Sequence, residues 1–411
     1  MQIKHYFGMK EIFAVPLGEK GRFNRVTVKT DSAIRLICRL IIVTDRGETL
    51  TETFPVGRGN GEYTAYISAL KENETATEIR RIVCCNTENA VGMTTFSQIS
   101  FGYKNPPVKS AEVSDEYLRI GYDAAYGNSI TYLSSEKYSV DIVGGKLVFG
   151  SERGEGRNAN LLNRYDKSRS FAQNYYGSLN PPYNPSVLFD ELWKYNPVQG
   201  GDAYGNNSRL LDFYSDDKKL RLKVRPLDRA KNFSPCDSIM ETEYSLDGKL
   251  LKMKCSFIDF SMYDHRWRKL RAQELPSLFL TPLLDKFFFV KDKTPVVQGN
   301  LGYWAEMPFK SEQHFIVSGN YSAWLNGDGF GVGLYSPHTK HHYAGRLALS
   351  GEDFSKDDAE SCSYTAAIGY FDLKNFETVS YEAYLTVGHK DEIRKTFDEL
   401  EKDLLVGRVK K

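Results

Sequence analysis

The sequence has no run of eighteen or more apolar residues, so no transmembrane helix is expected. Its first residues, Met1-Gln2-Ile3-Lys4-His5-Tyr6, lack the apolar stretch and small-residue cleavage site of a signal peptide. As written the chain reads as cytoplasmic, and as secreted if a leader has been removed. Cysteine is sparse: Cys38, Cys84, Cys85, Cys236, Cys255 and Cys362 show no C-x-x-C spacing. They read as buried free thiols rather than a disulfide framework or a metal site. Charge of either sign is not in excess, with 54 basic and 53 acidic residues, so no global field recruits nucleic acid or an anionic membrane. Nucleophile-elbow, phosphate-loop and dinucleotide signatures are missing, and so is any repeat of fixed period.

Helical periodicity is also scarce, while strand signals are plentiful. From Arg25 to Phe101, short alternating runs such as Arg25-Val26-Thr27-Val28-Lys29 are separated by turn residues. Six or seven strands in that span predict a small immunoglobulin-like β-sandwich. Asn105-Pro106-Pro107-Val108-Lys109-Ser110 reads as a stiff boundary, giving an accessory domain over 1–107 and a larger one over 108–411. The second carries a dozen or more strand signals, including the Asp247-Gly248 hairpin turn. Only Lys390–Leu405 repeats apolar residues at helical spacing, through Ile393, Phe397, Leu400 and Leu404. The fold expected is all-β: the small sandwich, then a large antiparallel β super-sandwich with a C-terminal helix.

The segment from Asn163 to Asn206 is too polar for a core and too aromatic for a plain linker. It holds Arg164, Asp166, Arg169, Gln173, Tyr175, Tyr176, Trp193, Asn196, Gln199, Gly200-Gly201 and Asp202. Flat aromatic faces beside amides, guanidinium forks and carboxylates suit a ligand with many hydroxyls and apolar C–H faces, which describes a sugar. Glu274, in Arg271-Ala272-Gln273-Glu274-Leu275-Pro276, follows a basic stretch from His265 to Arg271. Glu274 and Asp202 are the acid/base candidates, as glycoside hydrolysis commonly needs two carboxylates. Arg169 and Arg271 would anchor hydroxyl or carboxylate groups, and Tyr176 or His265 would move the proton in a lyase. Arg164, Asp166, Gln173, Tyr175, Trp193, Asn196, Gln199 and His314 complete the expected sugar contacts. All these groups are expected in one concave pocket of the large domain. His338-x-x-His341-His342 reads as a loop cluster without helical H-E-x-x-H geometry, so neither a metal nor another cofactor is expected.

Three blocks resemble a family of bacterial β-sandwich proteins, often secreted, found among carbohydrate-active proteins. One is Leu162-Asn163-Arg164-Tyr165-Asp166 with Gln173-Asn174-Tyr175-Tyr176-Gly177 and Tyr195-Asn196-Pro197-Val198-Gln199-Gly200-Gly201-Asp202. The second is Gln273-Glu274-Leu275-Pro276, and the third runs from Asn320 through Pro337. The alternation is also similar to galactose-mutarotase-like super-sandwich domains, in which sugars bind on a concave sheet face. The resemblance brings no settled reaction; the polar–aromatic segments themselves make a glycan-cleaving enzyme, acting by hydrolysis or β-elimination on an oligosaccharide or polysaccharide, the leading expectation. A non-catalytic carbohydrate-binding protein and a sugar epimerase or mutarotase are the alternatives.

Overall fold

The computed structural model describes residues 2–5, 10–13, 23–44, 46–67, 76–88, 90–103, 109–150, 157–163, 169–177, 194–266, 272–291, 294–298, 314–316, 320–348 and 361–409. The chain divides into two compact units. One comprises Met1–Pro107 with Asp259–Met262 and Asn375–Glu377, and the other comprises the rest. Both are built from antiparallel strands, as the alternating sequence requires.

In the first unit, a four-stranded and a five-stranded sheet contribute to one core. Leu36–Thr44 shows how the sequence does this, since every second residue of the strand is buried. Cys38 and Cys84 are cross-strand neighbours in this core, both fully buried free thiols.

The second unit has a seven-stranded and a nine-stranded sheet, and one large core takes side chains from both. We number the strands of the seven-stranded sheet in chain order: β1 (Phe171–Asn174), β2 (Pro197–Val198), β3 (Leu227–Asp228), β4 (Ala272–Leu280), β5 (His314–Ile316), β6 (His341–Ala348) and β7 (Ser361–Tyr370). Their order across the sheet is β3-β2-β1-β4-β7-β6-β5. One face packs toward the nine-stranded sheet. The outer face carries a separate cluster of Phe279, Cys362, Tyr364, Ala366 and Ile368.

Strand β4 contains a bulge that decides which side chains reach that outer face. Glu274 pairs with Ile368 and Ser277 with Ala366, so three steps on β4 match two on β7. The same extra residue appears against β1, where Ala172 pairs with Ser277 and Asn174 with Glu274. Pro276 lies within the bulged stretch, where its missing N–H costs the ladder nothing.

The helix α1 (Lys390–Val409) closes the chain, and Ile393, Phe397, Leu400 and Leu404 pack on Phe288, Tyr321 and Tyr384. Among the described residues no helix is long and apolar enough to cross a membrane.

Candidate active site

Glu274 sits on β4, near the middle of the sheet, and is 6% exposed. Its Oε1 accepts hydrogen bonds from the Tyr176 hydroxyl at 2.8 Å and the Tyr364 hydroxyl at 2.6 Å. Its Oε2 accepts one from the Asn174 amide at 2.6 Å. The same amide reaches the Tyr176 hydroxyl at 2.9 Å, and Asn196 donates to Asn174 Oδ1 at 3.1 Å. Strand register explains the meeting of residues a hundred positions apart, because Asn174 lies directly opposite Glu274. Tyr364 comes from β7, two residues along the outer face from Ala366.

Around this network stand Arg169, whose guanidinium carbon lies 5.5 Å from the centre of the Phe279 ring, and Phe279 itself, 4.8 Å from the Tyr364 ring. His341, Tyr343 and Tyr370 occupy the same face on β6 and β7. The register His341–Ile368–Glu274 puts the histidine two strands from the carboxylate, about 10 Å between backbones at the usual strand spacing. The His341 and Tyr370 rings meet edge to face at 5.4 Å. Glu274, Tyr176 and Tyr364 are nearly buried, whereas Arg169, His341 and Tyr343 are half-exposed.

The electrostatics keep the phenols protonated. Burial, and then the charge of Glu274, push the Tyr364 hydroxyl well above its ordinary value, and Arg169 offsets only part of this. Tyr343 is raised by burial, by Tyr370 and by Glu274. These tyrosines are proton donors at neutral pH, facing a carboxylate that is an acceptor. Oε2 holds a single hydrogen bond among the described residues, which leaves a lone pair for a further donor.

The expected single pocket divides in the structure. Tyr176, Glu274, Asn196 and Arg169 gather on or beside the outer face. Gln173, Tyr175 and Gln199 do not, because strand alternation turns them inward, away from the face expected to meet the sugar. Gln173 Nε2 donates to the Glu241 carbonyl at 2.8 Å and to Thr242 Oγ1 at 2.7 Å, Tyr175 stacks on Phe257, and Gln199 donates to the Asn128 carbonyl. Burial pushes the Tyr175 hydroxyl well above its ordinary value, and the ring faces the interior.

Asp202, expected as an acid/base partner, lies apart from Glu274's hydrogen-bond network and caps a turn. Its Oδ1 accepts from the backbone N–H groups of Tyr204 and Asn206, and its Oδ2 from the Asn206 amide and the Phe233 N–H. Four bonds occupy the acceptor sites a carboxylate offers. Gly201 serves the same turn: a Cβ there would lie 2.0 Å from the Asn206 carbonyl oxygen, so the glycine approaches backbone rather than ligand.

His265 is 3% exposed and packs its ring against Tyr195 at 5.3 Å, with Gly177 close beside it. Arg164, Asp166, Trp193 and Arg271 lie outside the described residues. So does the side chain of His314, whose backbone pairs with Tyr343 on the edge strand β5.

The histidine cluster is corrected too. His341 and His342 begin a strand instead of sitting in a loop, so they point to opposite faces. His342 faces the interior, 2.7 Å from Ser322 Oγ. Among the described residues no three His, Cys, Asp or Glu side chains stand together as a metal site.

Sequence reasoning missed Asn174, Tyr343, Tyr364, Tyr370 and the outward turn of His341. The signal for Asn174 was present, since it lies two residues before Tyr176 in the polar–aromatic block. Tyr364 had none, because it stands in an ordinary strand pattern and reaches Glu274 only through sheet pairing.

No family model matches the chain, and no curated protein matches it. Among solved structures, a galactose mutarotase related enzyme from Lactobacillus acidophilus aligns with 68% of this chain and 97% of its own, at 10% identity and a TM-score of 0.38. A putative aldose 1-epimerase from Klebsiella pneumoniae subsp. pneumoniae aligns over 70% and 81% at 11% identity, TM-score 0.32. An alpha-mannosidase from Enterococcus faecalis aligns with 97% of this chain and 42% of its own at 9% identity, TM-score 0.37. At these scores the likeness sets neither the fold nor the chemistry of this chain, and both rest on its own residues.

Proposed function

We propose that the chain is a carbohydrate-active enzyme whose chemistry is proton transfer centred on Glu274. The observation that carries this reading is the carboxylate on the outer sheet face, fixed by two phenol hydroxyls and an amide, with Oε2 holding a single hydrogen bond among the described residues. Glu274 is the base. Tyr364, held protonated by burial and by Glu274 itself, is the group able to give a proton back. Phe279 and the tyrosine rings supply the apolar wall that a sugar C–H face needs, and Arg169 supplies a cation for a carboxylate or hydroxyl of the ligand.

This set of groups favours isomerisation of a sugar ring, or β-elimination, over hydrolysis by paired acids. The second carboxylate that hydrolysis needs was expected at Asp202, and that side chain is spent on its own turn. The charge that raises both Tyr343 and Tyr364 comes from Glu274 alone among the described carboxylates. A second reading, in which the same face binds a glycan without turning it over, rests on the Arg169 guanidinium and the Phe279 and Tyr364 rings alone.

One experiment separates these outcomes. Wild-type and Glu274→Gln proteins are incubated with a panel of neutral and uronate oligosaccharides, and products are analysed by mass and by anomer-resolved NMR. An isomer at unchanged mass, or an unsaturated product lacking water, made by wild type and lost in Glu274→Gln, is the expected result. A product with water added overturns the proton-transfer reading. Equal binding by both proteins with no product leaves the binding reading standing in its place.

A further inference from the structure

Two turns leave the short strands at one side of the sheet, and they are braced against each other. The chain after β2 closes where Gly201 bridges Asn207, and the chain after β3 closes where Leu227 bridges Pro235. Asp202 ties the two together by accepting from Tyr204 N and Asn206 N in its own turn and from Phe233 N in the other. Asn206 Nδ2 also donates to Asn232 Oδ1 at 2.8 Å, and Ala203 N to the Arg229 carbonyl at 3.0 Å.

What these constraints hold in place is two aromatic rings in solvent. Tyr204 is 59% exposed and Phe233 is 67% exposed. Phe233 has φ of 52°, in the left-handed region, which costs a residue with a Cβ about 1–2 kcal/mol. A single exposed ring needs no explanation. Two large rings on cross-braced turns, one of them with a strained backbone, do need one, because neither side chain recovers that cost in the core. The neighbouring amides of Asn206 and Asn232 add hydrogen-bonding groups beside the rings. Flat faces with amides alongside suit a pyranose, whose C–H face stacks while its hydroxyls bond.

Their place in the sheet links them to Glu274. Register runs from Glu274 to Asn174, to Val198 and to Leu227, so the turns follow strands two and three positions from that of Glu274, and the backbones of β4 and β3 are about 14 Å apart at the usual spacing. A ligand touching both places is longer than one sugar ring.

We propose that Tyr204 and Phe233 form a distal subsite for a carbohydrate chain whose reacting residue lies at Glu274, so that the substrate is a polymer or long oligomer rather than a free sugar. This rests on the reading of Glu274 as a carbohydrate site.

The test measures calorimetric binding of the full chain, as wild type and as Glu274→Gln, to dimers and hexamers of β-1,4-glucan, xylan, mannan and polygalacturonate. At least one hexamer should bind about tenfold more tightly than its dimer. Tyr204→Ala with Phe233→Ala should reduce hexamer affinity to that of the dimer and leave the dimer unchanged. Phe233→Gly should show its share of that loss with an undiminished melting temperature, because glycine accepts the left-handed backbone. Equal binding of dimer and hexamer, or a hexamer affinity untouched by these substitutions, overturns the subsite while the Glu274 site stands. Binding of no panel member by either protein removes the carbohydrate reading and the subsite with it.

Discussion

At Glu274, three donors on two oxygens fix the position of the carboxylate, and the duty proposed for it is that of a base. Replacing it by Gln keeps the shape but removes the negative charge, and one amide hydrogen must then face a hydroxyl that was donating. Turnover should fall by about 10²–10⁴, the usual contribution of a positioned base, with binding changed far less; steady-state kinetics beside calorimetry read both. Tyr364→Phe should lower kcat with little change in KM, since it removes a proton donor but leaves the ring against Phe279. His342 offers a second expectation, in stability. Burial and the neighbouring His341 lower its pKa to about 3, against about 6.5 in the unfolded chain. Between those values the unfolded state binds the extra proton. Its contribution is therefore complete above pH 6.5 and is lost as pH falls toward 3, with a slope of at most about 1.4 kcal/mol per pH unit. Denaturant titrations of wild type and His342→Gln across that range should show a shallower acid decline in the variant. Glu274, Tyr176 and Arg169 were legible as polar groups out of keeping with a strand or linker. The inward turn of Gln173 and Gln199 was not, because an amide that bonds backbone inside a sandwich looks the same in sequence as one that bonds a sugar.

Among the elements, period was the legible part. Ile393, Phe397, Leu400 and Leu404 announced α1, and alternation announced strands such as Leu36–Thr44. Pairing partners were not legible, because the contact between Tyr364 and Glu274 depends on which strands lie side by side. The start of α1 carries its own prediction. Glu392 reaches back to the His389 N–H at 3.1 Å and accepts from Lys137 and the Tyr138 hydroxyl at 2.7 Å each. Burial acts to raise its pKa, but the bonds from Lys137 and Tyr138 outweigh it and hold the carboxyl at about 2. Its contribution is present above the unfolded value of about 4.3 and is lost as pH falls toward 2. Glu392→Ala should cost about 1 kcal/mol at neutral pH, the usual loss for a cap, and melting curves should show that difference vanish in acid.

At the scale of the whole chain, composition and alternation made an all-β molecule legible, whereas the route of the chain was not. Short segments at Asp259–Met262 and Asn375–Glu377 belong with the first unit although the second unit's strands lead into and out of them. Phe260, in the first of these, is fully buried. A fragment comprising 108–411 would carry that phenylalanine without most of its own unit. It should be less soluble than the full chain, and restoring solubility with Phe260→Ser, measured by size-exclusion recovery, would identify the cause.

The bulge in β4 has a consequence for how this sequence can change over time. Substitutions along the strand alter one side chain each, and loss of the single extra residue near Pro276 would turn three steps into two, so that Glu274 and Ser277 both keep their partners and their faces. The regular stretch from Ser277 to Leu280 has no such slack, and loss of one residue there turns the side chains on one side of the gap to the opposite face. A deletion scan through this strand should therefore find a one-residue loss tolerated only at the bulge, whereas removal of two residues there leaves one step against two and puts the flanks out of phase.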